Sequence, residues 1–320
     1  MDIYIKIKYR KIIMKKVTTL VFLFMVSLVY CQKETQFTQH LYNTTSINPA
    51  YAGSRGTTNI FAQHRLQWVG INGAPINTSA TVNMPVGNNV GLGLTILNEE
   101  VGPSVENNIS VDFSYTIPVF KSYKLSFGLK GTAGLLDVDF NKLNIEHEGD
   151  YLFENNIDNK FSPNIGLGLY LYSENSYFGL STPYLLETEH FDKYAGANSD
   201  SYIVKDYINF YVMAGHIFEL NSSLDFKPAV LINAVKNQKT IIELSGNFLI
   251  NKKFTAGLNY NWSQSVGALI GFQATDSWFF GYVYDMETTE LSNYNSGSHE
   301  FFLRWELFPK NNKIISSRFF

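Results

Sequence analysis

The 320-residue chain holds a single cysteine, Cys31. No disulfide can form within it, so its stability has to come from burial and backbone hydrogen bonding. Charge is scarce as well: Asp, Glu, Lys and Arg make up 17% of the residues, where about a quarter is usual. A net charge of −3 gives no electrostatic basis for binding nucleic acid, and no such partner is expected. No metal-site spacing links any two of His40, His64, His147, His190, His216 and His299. Glu146-His147-Glu148 reads as a solvated run, and Glu99, Glu100, Asp137 and Asp139 fit no calcium loop. The strained Gly-x-Ser-x-Gly turn of a hydrolase is missing. No catalytic residue, metal or cofactor is expected, and the chain does not read as an enzyme. Nor does any apolar run reach the roughly 20 residues of a membrane-spanning helix.

What the chain does have is alternation. In Asn108-Ile-Ser-Val-Asp-Phe-Ser-Tyr-Thr-Ile117, Ile109, Val111, Phe113, Tyr115 and Ile117 take one side, and Asn108, Ser110, Asp112, Ser114 and Thr116 the other. Successive side chains of a strand point to opposite faces, so this strand has one oily and one polar face. The pattern returns along nearly the whole chain after residue 57. Its polar face is mostly Ser, Thr, Asn and Gly rather than the Lys and Glu of a soluble sandwich. Aromatics reach 15%, with 20 Tyr and 25 Phe, which suits strand faces and interfacial belts. A mean hydropathy of −0.08 is no objection, because a barrel dilutes each lipid-facing residue with a lumen-facing one.

Lys15-Lys16 followed by the short apolar run from Leu20 to Val29 has the form of a secretory signal, with Met14 the better start. Cleavage after Cys31 is the preferred reading; acylation of Cys31 is the alternative, with bulky Tyr30 a poor neighbour for it. An exported chain without a spanning helix can stay in a membrane only as a barrel. The expected organisation is a signal peptide over 1–31, a plug or periplasmic segment over 32–56, a transmembrane antiparallel up-and-down β-barrel over 57–307, and a periplasmic tail over 308–320.

The alternation predicts about fourteen strands, an even number, as single-chain bacterial barrels require. They fall at 57–65, 76–84, 90–98, 107–117, 124–138, 161–172, 176–182, 207–220, 224–234, 240–250, 254–262, 265–274, 278–285 and 298–307. Even-numbered strands are followed by short stretches of turn formers, such as Pro85-Val-Gly-Asn-Asn89 and Asn251-Lys-Lys253. Odd-numbered strands are followed by 66–75, 99–106, 139–160, 183–206, 235–239, 263–264 and 286–297, most of them longer. Short turns on one rim and long loops on the other predict a periplasmic and an extracellular side, with both chain ends periplasmic. Ser126, Lys130, Thr132, Glu243, Ser245, Asn247, Asn259 and Asn261 should line the lumen. Phe120 with Tyr123, Tyr170 with Tyr172, Tyr260 with Trp262 and Trp278 with Phe280 read as interfacial girdle.

Two segments keep two readings each. Residues 33–56 contain Asn48-Pro49 and Gly53, which forbid a simple strand or helix, and fit either a plug or a periplasmic tail. Arg65 and Trp68 fit a partner-contacting loop, with Trp68 as anchor; Trp68 also fits a girdle residue at the top of the first strand, with Gly70, Gly73 and Pro75 as the turn.

Residues 37–54, from Phe37-Thr-Gln-His through Asn48-Pro-Ala-Tyr-Ala-Gly-Ser54, are the most specific stretch of the chain. With Arg65-Leu-Gln-Trp68, Gly70-Ile-Asn-Gly-Ala-Pro75, Gly91-Leu-Gly-Leu94, Leu125-Ser-Phe-Gly-Leu-Lys130, Tyr177-Phe-Gly-Leu-Ser-Thr-Pro183 and Ser298-His-Glu300, it resembles the PorP/SprF family of Bacteroidota type IX secretion membrane proteins. Asn48, Pro49, Tyr51, Gly53, Gly73 and Pro75 stand at the motif positions, while Ser317 replaces a frequent Pro near the end. The resemblance implies an outer-membrane barrel that supports secretion and surface attachment of adhesins with a type B C-terminal sorting domain, including those of gliding motility. Implied partners are that adhesin, a PorE-like peptidoglycan-binding lipoprotein and the PorK/PorN ring. For such an adaptor, Tyr194, Tyr202 and Tyr294 in the long loops would meet cargo. The 33–56 segment and Lys310, Lys313 and Arg318 of the tail would meet the periplasmic apparatus. The rival reading is an outer-membrane channel or hydrophobic-solute transporter.

Overall fold

The structure, a computed structural model, describes residues 42–120, 122–143, 156–187, 208–235 and 238–307. Fourteen strands follow one another: β1 (Thr58–Leu66), β2 (Ile76–Val86), β3 (Val90–Val101), β4 (Ser104–Pro118), β5 (Lys124–Val138), β6 (Ile157–Tyr172) and β7 (Ser176–Thr182). The second half holds β8 (Asn209–His216 and Phe218–Asn221), β9 (Leu224–Val235), β10 (Ile241–Ile250), β11 (Phe254–Asn261), β12 (Ser265–Gln273), β13 (Trp278–Glu287) and β14 (Ser298–Leu307). β8 is interrupted where Ile217 turns inward and its backbone N–H donates to the Asn175 carbonyl. Each strand pairs antiparallel with its chain neighbour. β1 then pairs with β14 from Thr58↔Leu307 to Leu66↔His299, which closes the sheet. A closed sheet leaves no unpaired edge, the condition for strands to sit in hydrocarbon.

The two faces are inverted relative to a soluble protein. Val111, Leu258 and Ile270 are 56%, 66% and 62% exposed, whereas Asn77, Asp112 and Glu300 are at 0%. Along β4 the outward set Ile109, Val111, Phe113 and Tyr115 alternates with buried Asn108, Ser110, Asp112 and Ser114, as the sequence pattern requires. No helix among the described residues is long and apolar enough to cross a membrane. An apolar exterior around a polar interior is stable only where lipid replaces water outside.

Connections 87–89, 119–123, 173–175, 222–223, 251–253 and 274–277 form one rim, on which β1 also begins and β14 ends. On the other rim lie the ends of the remaining strand pairs, with the connections 67–75, 262–264 and 288–297 described throughout. The expected loop at 99–106 is corrected: β3 and β4 run on to Val101 and from Ser104, paired through Glu99↔Glu106, and only Gly102 and Pro103 turn. β6 likewise starts at Ile157 rather than 161, and β13 ends at Glu287 rather than 285. These extensions carry charged residues such as Glu99, Glu100, Glu106, Asp158, Lys160 and Glu287 among few apolar ones, so they lack the alternation that marks the lipid-covered part of a strand.

Residues 42–57, ahead of β1, lie inside the barrel. A one-turn helix, α1 (Thr44–Ile47), leads to a 3-10 turn at Pro49–Tyr51. Asn48 is extended (φ −135°, ψ 105°), as a residue before proline must be, and its Oδ1 accepts a hydrogen bond from the Ala50 N–H at 3.0 Å. Tyr42, Asn43, Asn48, Ala50, Tyr51, Ala52 and Arg55 are all buried. The expectation that 33–56 meets periplasmic partners is therefore corrected for residues 42–56, which are covered by barrel wall. Pro183 also turns inward over Gly166, and Asn164 Oδ1 accepts from the Leu185 and Leu186 N–H groups.

Candidate functional site

The chemistry of this chain is in its lumen. The inward set expected from alternation is found there: Ser126, Lys130, Thr132, Glu243, Asn247, Asn259 and Asn261 are buried, and Ser245 is half-buried. Three charge groups tie separate elements together. Near the long-loop rim, Arg65 Nη1 on β1 lies 2.7 Å from Asp285 Oδ2 on β13 and 2.9 Å from Glu300 Oε2 on β14. Mid-wall, Lys130 Nζ on β5 lies 3.0 Å from Asp112 Oδ1 on β4 and also donates to the Thr45 carbonyl at 3.3 Å. Towards the short-turn rim, Arg55 Nη2 of the inner segment lies 2.5 Å from Glu306 Oε1, with Arg304 Nε of the same strand at 3.7 Å. Charges this deep persist only when paired, so each group fixes the relative position of the elements it joins.

The inner segment touches both sides of the barrel. On one side Tyr42 lies 5.4 Å from the Phe279 ring and 4.5 Å from Phe302. Burial pushes the Tyr42 hydroxyl well above the ordinary tyrosine range, with Arg304 opposing, so it stays neutral. On the other side Asn48 Nδ2 donates to the Leu169 carbonyl at 3.0 Å, and Ser114 Oγ donates to the Ala52 carbonyl at 2.7 Å. The Tyr51 ring meets Tyr170 edge-on at 5.4 Å, with Tyr172 a further 5.3 Å along. Tyr170 and Tyr172 are thus buried core for the segment and not lipid girdle, which corrects the sequence reading. On β6, Leu167 and Leu169 face lipid while Gly166, Gly168, Tyr170 and Tyr172 face in; apolar residues on both faces hid which way they point. Phe120, Tyr260, Trp262, Trp278 and Phe280 are exposed at strand ends, as a girdle requires.

The other motif residues have structural placements. Arg65, expected to contact a partner, is closed in by its two carboxylates; the sequence could not show that the strand carries it inward at the end of β1. Trp68 is half-buried, with its Nε1–H donating to Glu287 Oε1 at 2.8 Å, so it knits the 67–75 loop to β13 and is no lipid-facing girdle residue. Val69 N–H to Gly297 O and Ser296 N–H to Val69 O, at 2.9 and 2.8 Å, join that loop to 288–297. Gly73 (φ 75°) accepts from the Gly102 N–H at 2.9 Å, and the Pro75 carbonyl accepts from Gln67 N–H. Tyr294 stands 74% exposed on the same rim. Tyr194, Tyr202, Lys310, Lys313, Arg318 and the Glu146-His147-Glu148 run lie outside the described residues. Ser176 Oγ and His216 Nδ1 are 2.7 Å apart because they are directly opposed on β7 and β8. Among the described residues no three His, Cys, Asp or Glu are grouped to hold a metal ion.

A family model described as type IX secretion system membrane protein PorP/SprF matches residues 29–305. No curated protein matches the chain. Among solved structures, the toluene transporter TbuX of Ralstonia pickettii is 10% identical with a TM-score of 0.48, over 83% of this chain and 92% of that one. The monoaromatic hydrocarbon channel CymD is 10% identical with a TM-score of 0.48, over 85% and 94%. Omp33 of Acinetobacter baumannii is 6% identical with a TM-score of 0.47, over 78% and 98%.

Proposed function

The chain belongs to the PorP/SprF family of type IX secretion system membrane proteins, and from that premise we infer that it supports secretion and surface attachment of adhesins bearing type B C-terminal sorting domains. Family membership carries the reading. The barrel supports it by offering two unlike rims. The long-loop rim faces outward and receives the adhesin's C-terminal domain, with Tyr294 an exposed aromatic available there and Tyr194 and Tyr202 assigned the same role. On the periplasmic side, Lys310, Lys313 and Arg318 meet acidic surfaces of a PorE-like lipoprotein or the PorK/PorN ring. A secretory signal over 1–31 delivers the chain to the outer membrane. In gliding cells the cargo is a motility adhesin.

Removing residues 187–200 tests this. The barrel should still reach the outer membrane, and a type B cargo should pass from the cell surface into the medium. Unchanged surface retention of every such cargo, both in this deletion and after loss of the whole gene, would end the adaptor reading in favour of a channel.

A further inference from the structure

Fourteen strands about 4.8 Å apart and tilted by roughly 40° close on a backbone diameter of about 28 Å, wide enough for an aqueous path after inner side chains are subtracted. Large inward side chains would fill such a lumen most simply. Along part of β3, β5, β6 and β7 the inner wall is bare instead, because Gly91, Gly128, Gly168 and Gly179 stand at inward positions. Gly91, Gly128 and Gly168 are matched to the inner segment, and Gly179 lies between it and Met213. A Cβ at Gly168 would collide with Asn48 Oδ1, and one at Gly179 would lie 2.7 Å from Met213 Cγ and 3.0 Å from Asn48 Nδ2. One at Gly128 would collide with the Ala50 backbone, and one at Gly91 with the Ala52 carbonyl. Gly53 closes the series: its φ is +68°, and a Cβ there would lie 2.8 Å from Gly91 Cα. Residues 48, 50 and 52 thus lie against the glycines, while Tyr51 turns away to the Tyr170 and Tyr172 shelf.

Polar recognition accompanies the fit. Asn48 Nδ2 reaches the Leu169 and Leu180 carbonyls, 3.0 and 3.5 Å away, which belong to directly opposed residues of β6 and β7. Ser114 and Lys130 donate to the Ala52 and Thr45 carbonyls, and Asn83 Nδ2 donates to Thr45 Oγ1 at 3.3 Å. Small residues at alternate positions, one carboxamide and one aromatic are therefore read separately.

We propose that the inner wall of β3–β7 is a sequence-specific peptide-binding groove whose ligand is an Asn-Pro-small-aromatic-small-Gly peptide, occupied in cis by Asn48–Gly53, and that this occupancy closes the barrel to ions. The groove is independent of any secretion cargo, since closure is a property of the purified protein.

The test is conductance of the full chain in planar bilayers, with folding checked by heat-modifiable gel mobility. Wild type should be silent. Asn48→Ala with Gly53→Val unseats the segment but leaves the wall intact, and should conduct in discrete steps. A synthetic peptide with the sequence of residues 42–57 should silence that variant at least tenfold more effectively than a scrambled one. Gly128→Leu with Gly168→Leu fills the groove; it should conduct and ignore the peptide. If this last variant does not fold, the segment variant and the two peptides decide alone. Conductance of wild type equal to that of the variants, silence of every folded variant, or equal block by the scrambled peptide would overturn the groove.

Discussion

Phe113 and Ser114 are neighbours in the chain with opposite surroundings. Phe113 faces lipid mid-strand, and Arg there is expected to cost roughly 2–4 kcal/mol, read as lost heat-modifiable mobility. From alternation alone Ser114→Arg is an exchange the lumen should tolerate. The hydrogen bond from Ser114 to Ala52 removes that tolerance: Arg there should leave the barrel folded but displace the inner segment, detectable as new protease sensitivity around Gly53. Protection equal to wild type would place Ala52 away from β4. Arg65 makes a sharper case. Arg65→Ala leaves Asp285 and Glu300 buried without their cation, and breaking such a group typically costs about 3–5 kcal/mol. Adding Asp285→Asn and Glu300→Gln should recover part of that loss in urea unfolding from vesicles. A single variant as stable as wild type would mean that water reaches the pair.

Among the elements, the turn after β10 is the simplest to test. Asn251 and Lys252 both have positive φ, 52° and 54°, in the three-residue connection from Ile250 to Phe254, where the Lys253 N–H donates to the Ile250 carbonyl. Lys pays for a left-handed backbone where Gly does not, so Lys252→Gly should stabilise the barrel by up to about 1 kcal/mol and Lys252→Val should weaken it. The same urea midpoints measure this; no difference between the two would mean the turn relaxes at no cost. Strand faces and turns of this kind were legible in the sequence because lipid and lumen impose opposite chemistry on alternate residues. Strand ends were less legible. Glu99, Glu100 and Glu106 read as loop because charge signals solvent, yet strands continue past the bilayer and pair there as well. The inner segment was legible only as something other than helix or strand. Its trace on the wall was the recurrence of Gly91, Gly128 and Gly168 on an otherwise polar face, which has no meaning until the partner of each glycine is known.

For the whole molecule, inversion of polarity and closure of β1 on β14 establish a membrane barrel, and the family match gives it a place in type IX secretion. The proposed role in holding cargo outside the cell depends on which rim faces out. Single cysteines at Tyr294 and Lys252 decide this directly, in cells carrying Cys31→Ser. Both positions are exposed, one on each rim. With a membrane-impermeant maleimide on intact cells, Tyr294→Cys should be labelled, and Lys252→Cys should be labelled only after the outer membrane is opened. Labelling of Lys252→Cys on intact cells with Tyr294→Cys protected would turn the barrel over and contradict the account.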